Sequence, residues 1–96
     1  MARIIIEPQS AKNVESLVKS AVENELKIIE FGIAKTKKKL AELEKKFGMN
    51  SRNFYKKFNE GKIGDDIEYI RWAGEYETLQ KLQRDYGDLV ETELCS

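Results

Sequence analysis

Residues 22–47 read VENELKIIEFGIAKTKKKLAELEKKF, and in this stretch Val22, Leu26, Ile29, Ile33, Thr36, Leu40, Leu43 and Phe47 step by 4, 3, 4, 3, 4, 3 and 4. Heptad spacing of this kind lines side chains along one edge of an α-helix, here with a single polar member, Thr36. Upstream, Val14, Leu17, Val18 and Ala21 widen the apolar stripe, while Ile28 and Phe31 lie off it. Ser10 or Asn13 can cap the start, and no breaker intervenes before Gly48. A helix is therefore predicted over 10–47, about 50 Å long over its periodic part. Its seam cannot face water along that length; it needs a neighbour.

A second ladder supplies one. Tyr69, Trp72, Tyr76, Leu79, Gln83, Tyr86 and Val90 step by 3, 4, 3, 4, 3 and 4, with Ile67, Ile70, Leu82 and Leu89 as a flanking row. They predict a helix over 65–93, about 40 Å long, begun by Asp65 or Asp66 and weakened locally by Gly74 and Gly87. Between the ladders, Gly48 suits a helix end. Ser51 can cap a short helix over 51–60 that carries Phe54 and Phe58 on one face, and Gly61 and Gly64 bracket a turn. The predicted fold is all-α: an elongated antiparallel hairpin of two long helices joined by a short helix and turn. It makes one helical domain over 1–96, preceded over 1–9 by an extended segment. There Arg3-Ile4-Ile5-Ile6-Glu7, stopped by Pro8, either packs as an apolar peptide or adds a strand to a partner's sheet.

Charge patterning favours this pairing. The chain is neutral overall, with 17 basic and 17 acidic residues, but residues 1–64 hold 14 Lys+Arg against 8 Asp+Glu and residues 65–96 hold 3 against 9. The two parts attract, whether within one chain or between chains. If between chains, Val22, Leu26, Ile29, Ile33, Leu40 and Leu43 form the seam of a homo-oligomer, most simply a dimer. Global neutrality argues against a dedicated nucleic-acid binder. Lys35, Lys37, Lys38 and Lys39 are consecutive enough to spread around the helix rather than form one patch. Nucleic-acid contact through these lysines, Arg3, Lys56 and Lys57 is the least favoured binding role.

Mean hydropathy is −0.59 and 41% of residues are apolar, a mixture suited to long helices sharing a narrow seam. No stretch is apolar enough for a membrane span or a signal peptide, and Cys95 has no second cysteine with which to pair. These features lead us to expect a cytoplasmic protein. There is no histidine, which removes the commonest general base and every histidine-containing zinc pattern. No catalytic set, cofactor or metal is expected. Gly61-Lys62-Ile63-Gly64-Asp65-Asp66 is no phosphate loop, because the glycine-lysine-serine/threonine ending is missing. Asp65, Asp66 and Glu68 could hold magnesium, but helix capping explains them more simply.

The aromatic residues offer the better functional lead. Phe54, Tyr55 and Phe58 precede the turn and Tyr69, Trp72 and Tyr76 follow it, so a reversal there gathers six rings at one end. Either they close the hairpin as a small core, or Trp72 and the tyrosines, with Asp65 and Asp66 nearby, anchor a protein partner.

The segment LEKKFGMNSRNFYKKFNEGKIGDD, residues 43–66, continuing into Ile70-Arg71-Trp72-Ala73-Gly74-Glu75-Tyr76-Glu77, resembles a pattern in small archaeal and bacterial helical proteins. Many of these are similar to the antitoxins of type II toxin–antitoxin pairs, notably beside TumE-like toxins. The resemblance spans roughly residues 26–80. It implies a non-catalytic protein that binds and neutralises a toxin, and it supplies no site residues of its own. A self-associating coiled-coil scaffold is the alternative that the periodicity leaves open.

Overall fold

The computed structural model describes residues 11–95, with side chains described for 13–92. The extended segment around Arg3–Glu7 and the candidate cap Ser10 lie outside the described residues. Three helices follow in order: α1 over Ala11–Phe47, α2 over Ser51–Asn59 and α3 over Ile67–Cys95. The long pair packs antiparallel, and α2 lies across its closed end. The molecule measures 60 × 28 × 19 Å with a radius of gyration of 19.5 Å. A compact chain of this length would have a radius of about 12–13 Å. This rod exposes far more surface than a globule.

The α1 seam turns inward. Ile29, Thr36 and Leu40 are buried, and Val22, Leu26, Ile33, Leu43 and Phe47 are half-buried. Their neighbour is the chain's own α3. Leu40 joins Trp72 and Ala73 in the core, with Leu43, Phe47, Tyr76 and Leu79 packed against it. Farther along the rod, Leu82 leans into the notch at Gly32, where an added Cβ would stand 3.2 Å from Leu82 Cδ1. Of the residues proposed as a seam, Ile29 and Leu40 are buried within the single chain and Leu43 packs against its core, whereas Val22, Leu26 and Ile33 are half-buried.

Polar contacts across the helix pair fix its register. Lys46 Nζ meets Glu68 at 2.7 and 2.9 Å, Lys39 Nζ meets Glu75 at 3.5 Å, and Tyr86 Oη donates to Glu30 Oε1 at 2.8 Å. The lysines of α1 thus reach the acids of α3, as the charge split predicts. Each exposed pair contributes only about 0–1 kcal/mol, so these contacts choose the register more than they hold the fold.

The ends of the helices follow from local chemistry. Gly48, at φ 65°, sends its N–H back to the Glu44 carbonyl at 2.8 Å, with Met49 N–H on the same oxygen at 3.3 Å. Gly61, at φ 72°, ends α2 in the same left-handed manner. Lys62 N–H donates to the Lys57 carbonyl at 2.9 Å and Gly61 N–H to that of Phe58 at 3.1 Å. Asp66, rather than Asp65, begins α3: its carboxylate accepts the Glu68 N–H at 3.1 Å.

The cap of α2 differs from expectation. Asn50 fills that role, extended at φ −75° and ψ 154°, its Oδ1 accepting from Asn53 N–H at 2.8 Å. Ser51 is displaced one position inward, into the core. Its N–H donates to Glu44 Oε2 at 2.6 Å and its Oγ accepts from Trp72 Nε1 at 2.8 Å. One serine thus links α1 to α2 and α2 to α3.

Two stability measurements check this account. Ser51→Ala strands a buried indole N–H, so chemical denaturation should show a loss of about 1–3 kcal/mol. A loss below about 0.5 kcal/mol, the level of an ordinary surface change, would contradict the junction. Gly74 sits mid-helix with open space where a Cβ would go, so Gly74→Ala should stabilise the protein by about 1 kcal/mol. A destabilised variant would mean that its surroundings are closed.

Candidate functional site

The closed end of the hairpin gathers the rings expected there, with Phe47 added. Trp72 stacks on Phe54 at 3.9 Å between centroids with planes 5° apart, and on Phe47 at 5.5 Å and 20°. Tyr69 stands edge-on to Phe47 at 5.4 Å, and Phe58 and Tyr69 flank Phe54 at 5.6 Å each. Tyr55 meets Tyr76 at 4.9 Å. Each such pair adds about 0.5–1.5 kcal/mol to what burial alone provides. Met49 and Ile63 close the ends of the cluster.

Burial divides the candidate binding residues. Phe54 is 0% and Trp72 1% exposed, so neither can reach a partner while the hairpin is closed. The expectation that Trp72 anchors a partner is corrected: Trp72 and Phe54 are the centre of the core. Tyr55, Phe58, Tyr69 and Tyr76 are half-buried, each leaving only part of its ring at the surface. Asp65 and Asp66 are exposed, although one carboxylate oxygen of Asp66 caps α3.

The metal reading finds no support in this geometry. Glu68 is engaged with Lys46 and Asp66 with its own helix end. Among the described residues no three carboxylate or thiol side chains converge as a ligand set. Nor is any described helix long and apolar enough to cross a membrane.

Two residues of the flanking row at this end, Ile67 and Ile70, point outward. Ile67 is 62% and Ile70 49% exposed, directly after the two aspartates. At roughly 100° per residue they sit about 140–160° around α3 from Trp72, nearly opposite the core. That angle, measured from Trp72 as the most buried ring, is the signal that could have placed them outside. The resulting surface is an apolar pair beside two carboxylates, on backbone held by the aromatic core beneath it.

Tyr55 gives the head one titratable marker. Its hydroxyl donates to Glu77 Oε1 at 2.7 Å, and this hydrogen bond, with the nearby negative charge, raises the phenol above its ordinary value of 10.0. The contact favours the neutral phenol, so its stabilisation is complete below pH about 10 and is lost as pH rises through the raised folded value.

The fold and site define a helical hairpin with a stacked aromatic head and a long arm. Compared with known protein families, curated proteins and solved structures, the chain matches none.

Alkaline ultraviolet titration should show the Tyr55 phenol ionising above its ordinary value, and Glu77→Gln should bring it down. If Glu77→Gln leaves that step unmoved, the hydrogen bond is not its cause.

Proposed function

We propose that this chain is a non-catalytic protein-binding module that meets its partner through the head, and that the partner is a toxin it neutralises in the manner of an antitoxin. The observation that carries the binding role is the exposed pair Ile67 and Ile70 beside Asp65 and Asp66. Two large aliphatic side chains in water, fixed on a helix start, offer an apolar contact with a charged rim, the usual anatomy of a recognition patch. The stacked core beneath lowers the ordering cost of binding, because the backbone is already held. The complementary surface is an apolar depression bordered by lysine or arginine. The half-buried edges of Tyr55, Phe58, Tyr69 and Tyr76 lie on the core side of the head and offer a second, separate set of contacts. The toxin identity of the partner rests on the resemblance of residues 26–80 to antitoxin-like proteins.

The test is co-expression with the product of the adjacent gene. A complex of defined stoichiometry should form, and expression of the neighbour alone should arrest growth that this chain restores. An Asp65→Lys/Ile70→Glu variant should bind at least about tenfold more weakly, a difference of about 1.4 kcal/mol, with unchanged helicity. Undiminished binding by the variant would move the site off the head. A neighbour that binds without toxicity would end the antitoxin reading alone.

A further inference from the structure

The outer side of α1, away from α3, changes character along its length. Leu17, Ala21, Asn24, Ile28 and Phe31 step by 4, 3, 4 and 3, and the same spacing continues through Lys35, Lys38, Glu42 and Lys45. On this heptad spacing the row runs about 150° around the helix from the seam, nearly opposite it. Its first half is apolar and uncovered: Leu17, Ile28 and Phe31 are 68%, 63% and 72% exposed. Its second half is basic.

Charge divides along the same line. Lys27, Lys35, Lys38 and Lys45 take the outward positions against Glu42 alone, whereas Glu15, Glu23, Glu30 and Glu44 stand on the seam side. Glu25 lies on the flank with Lys39 and Lys46, the two lysines that reach α3. The four outward lysines are exposed, and among the described residues none of them makes an ion pair. This face therefore combines bare apolar side chains with uncompensated cations.

We propose that the outer row of α1 is a contact surface for an anionic lipid bilayer, on which the helix lies flat without crossing it. Such a surface meets both halves of the row. Leu17, Ile28 and Phe31 enter the boundary between headgroups and acyl chains, and the lysines reach lipid phosphates on long flexible stems. A nucleic acid would engage the lysines and leave the three apolar side chains in water. Protein interfaces favour arginine, tyrosine and tryptophan and are depleted in lysine. Here lysine is the one cation used, and Phe31 is the one aromatic. Mobile headgroups ask for no fixed geometry, which suits the point charge of an ammonium group. The fold also keeps like charge away from the lipid. Residues 65–96 hold 3 Lys+Arg against 9 Asp+Glu, and α3 packs on the opposite side of α1 from the row. This inference goes beyond the binding role of the head and does not depend on it.

Co-sedimentation of the full chain with unilamellar vesicles tests it. At low ionic strength the protein should pellet with vesicles of equimolar phosphatidylcholine and phosphatidylglycerol, and stay in solution with phosphatidylcholine alone. Each lysine near such a surface strengthens partitioning about fivefold, so Lys35→Glu/Lys38→Glu/Lys45→Glu should weaken it by at least about a hundredfold. Ile28→Ser/Phe31→Ser should weaken it by about tenfold or more. Both variants should keep their helical circular dichroism, because every substituted side chain is exposed. In a Cys95→Ser background, an environment-sensitive fluorophore on Phe31→Cys should shift to the blue on anionic vesicles, and the same label on Asp88→Cys of α3 should not. A wild type that ignores anionic vesicles, or binds neutral ones equally well, overturns the proposal and leaves the row to a protein partner. Undiminished binding by the lysine variant, or a Phe31 label that stays in water on the vesicle, overturns it equally.

Discussion

Ser51 is where the three helices are joined. Its N–H is held by the Glu44 carboxylate of α1, and its hydroxyl oxygen accepts the indole N–H of Trp72 on α3. Both contacts answer requirements that burial imposes. The first turn of α2 has N–H groups with no partner inside the helix, and an enclosed indole N–H needs an acceptor. A single small residue at the start of α2 meets both needs. With Trp72 fixed in this way, Phe47 and Phe54 can stack on it, and the ring cluster then sets how α1 and α3 leave the closed end. Along the rod, the exposed polar contacts between α1 and α3 then set the register of the pair.

Much of the fold was legible in the chain because long helices write their packing into sequence periodicity. The ladders from Val22 to Phe47 and from Tyr69 to Val90 gave the two rods, and Gly48, Gly61 and the aspartates marked where they stop. The charge split favoured pairing of the two rods. Periodicity alone cannot say whether a seam meets its own chain or a copy, since both satisfy the same 3.5-residue repeat; the placement of Trp72, Ala73 and Leu82 against α1 decides it. Ser51 was misassigned for a related reason. Asn50 and Ser51 are both good caps, and only the tertiary need of Trp72 makes the serine more useful one position inside. Ile67 and Ile70 read as a row flanking the ladder, and their angle around α3 sets them outside.

The rod has two unlike ends, and this difference shapes what it can do. At the head the rings pack tightly around Trp72 and Phe54, and among the described residues no buried side-chain nitrogen or oxygen lacks a hydrogen-bond partner. Along the arm, one face of α1 is covered by α3, while Leu17, Ile28 and Phe31 on nearly the opposite side stay exposed.

The account stands most directly on the Trp72 indole. Hydrogen exchange at Nε1, followed by NMR under native conditions, reports whether that proton is sealed against Ser51. The account predicts exchange only on global unfolding, with protection matching the full stability of the protein. Exchange at the rate of an exposed indole would contradict it, because the head would then be open and the three helices would not be joined at Ser51.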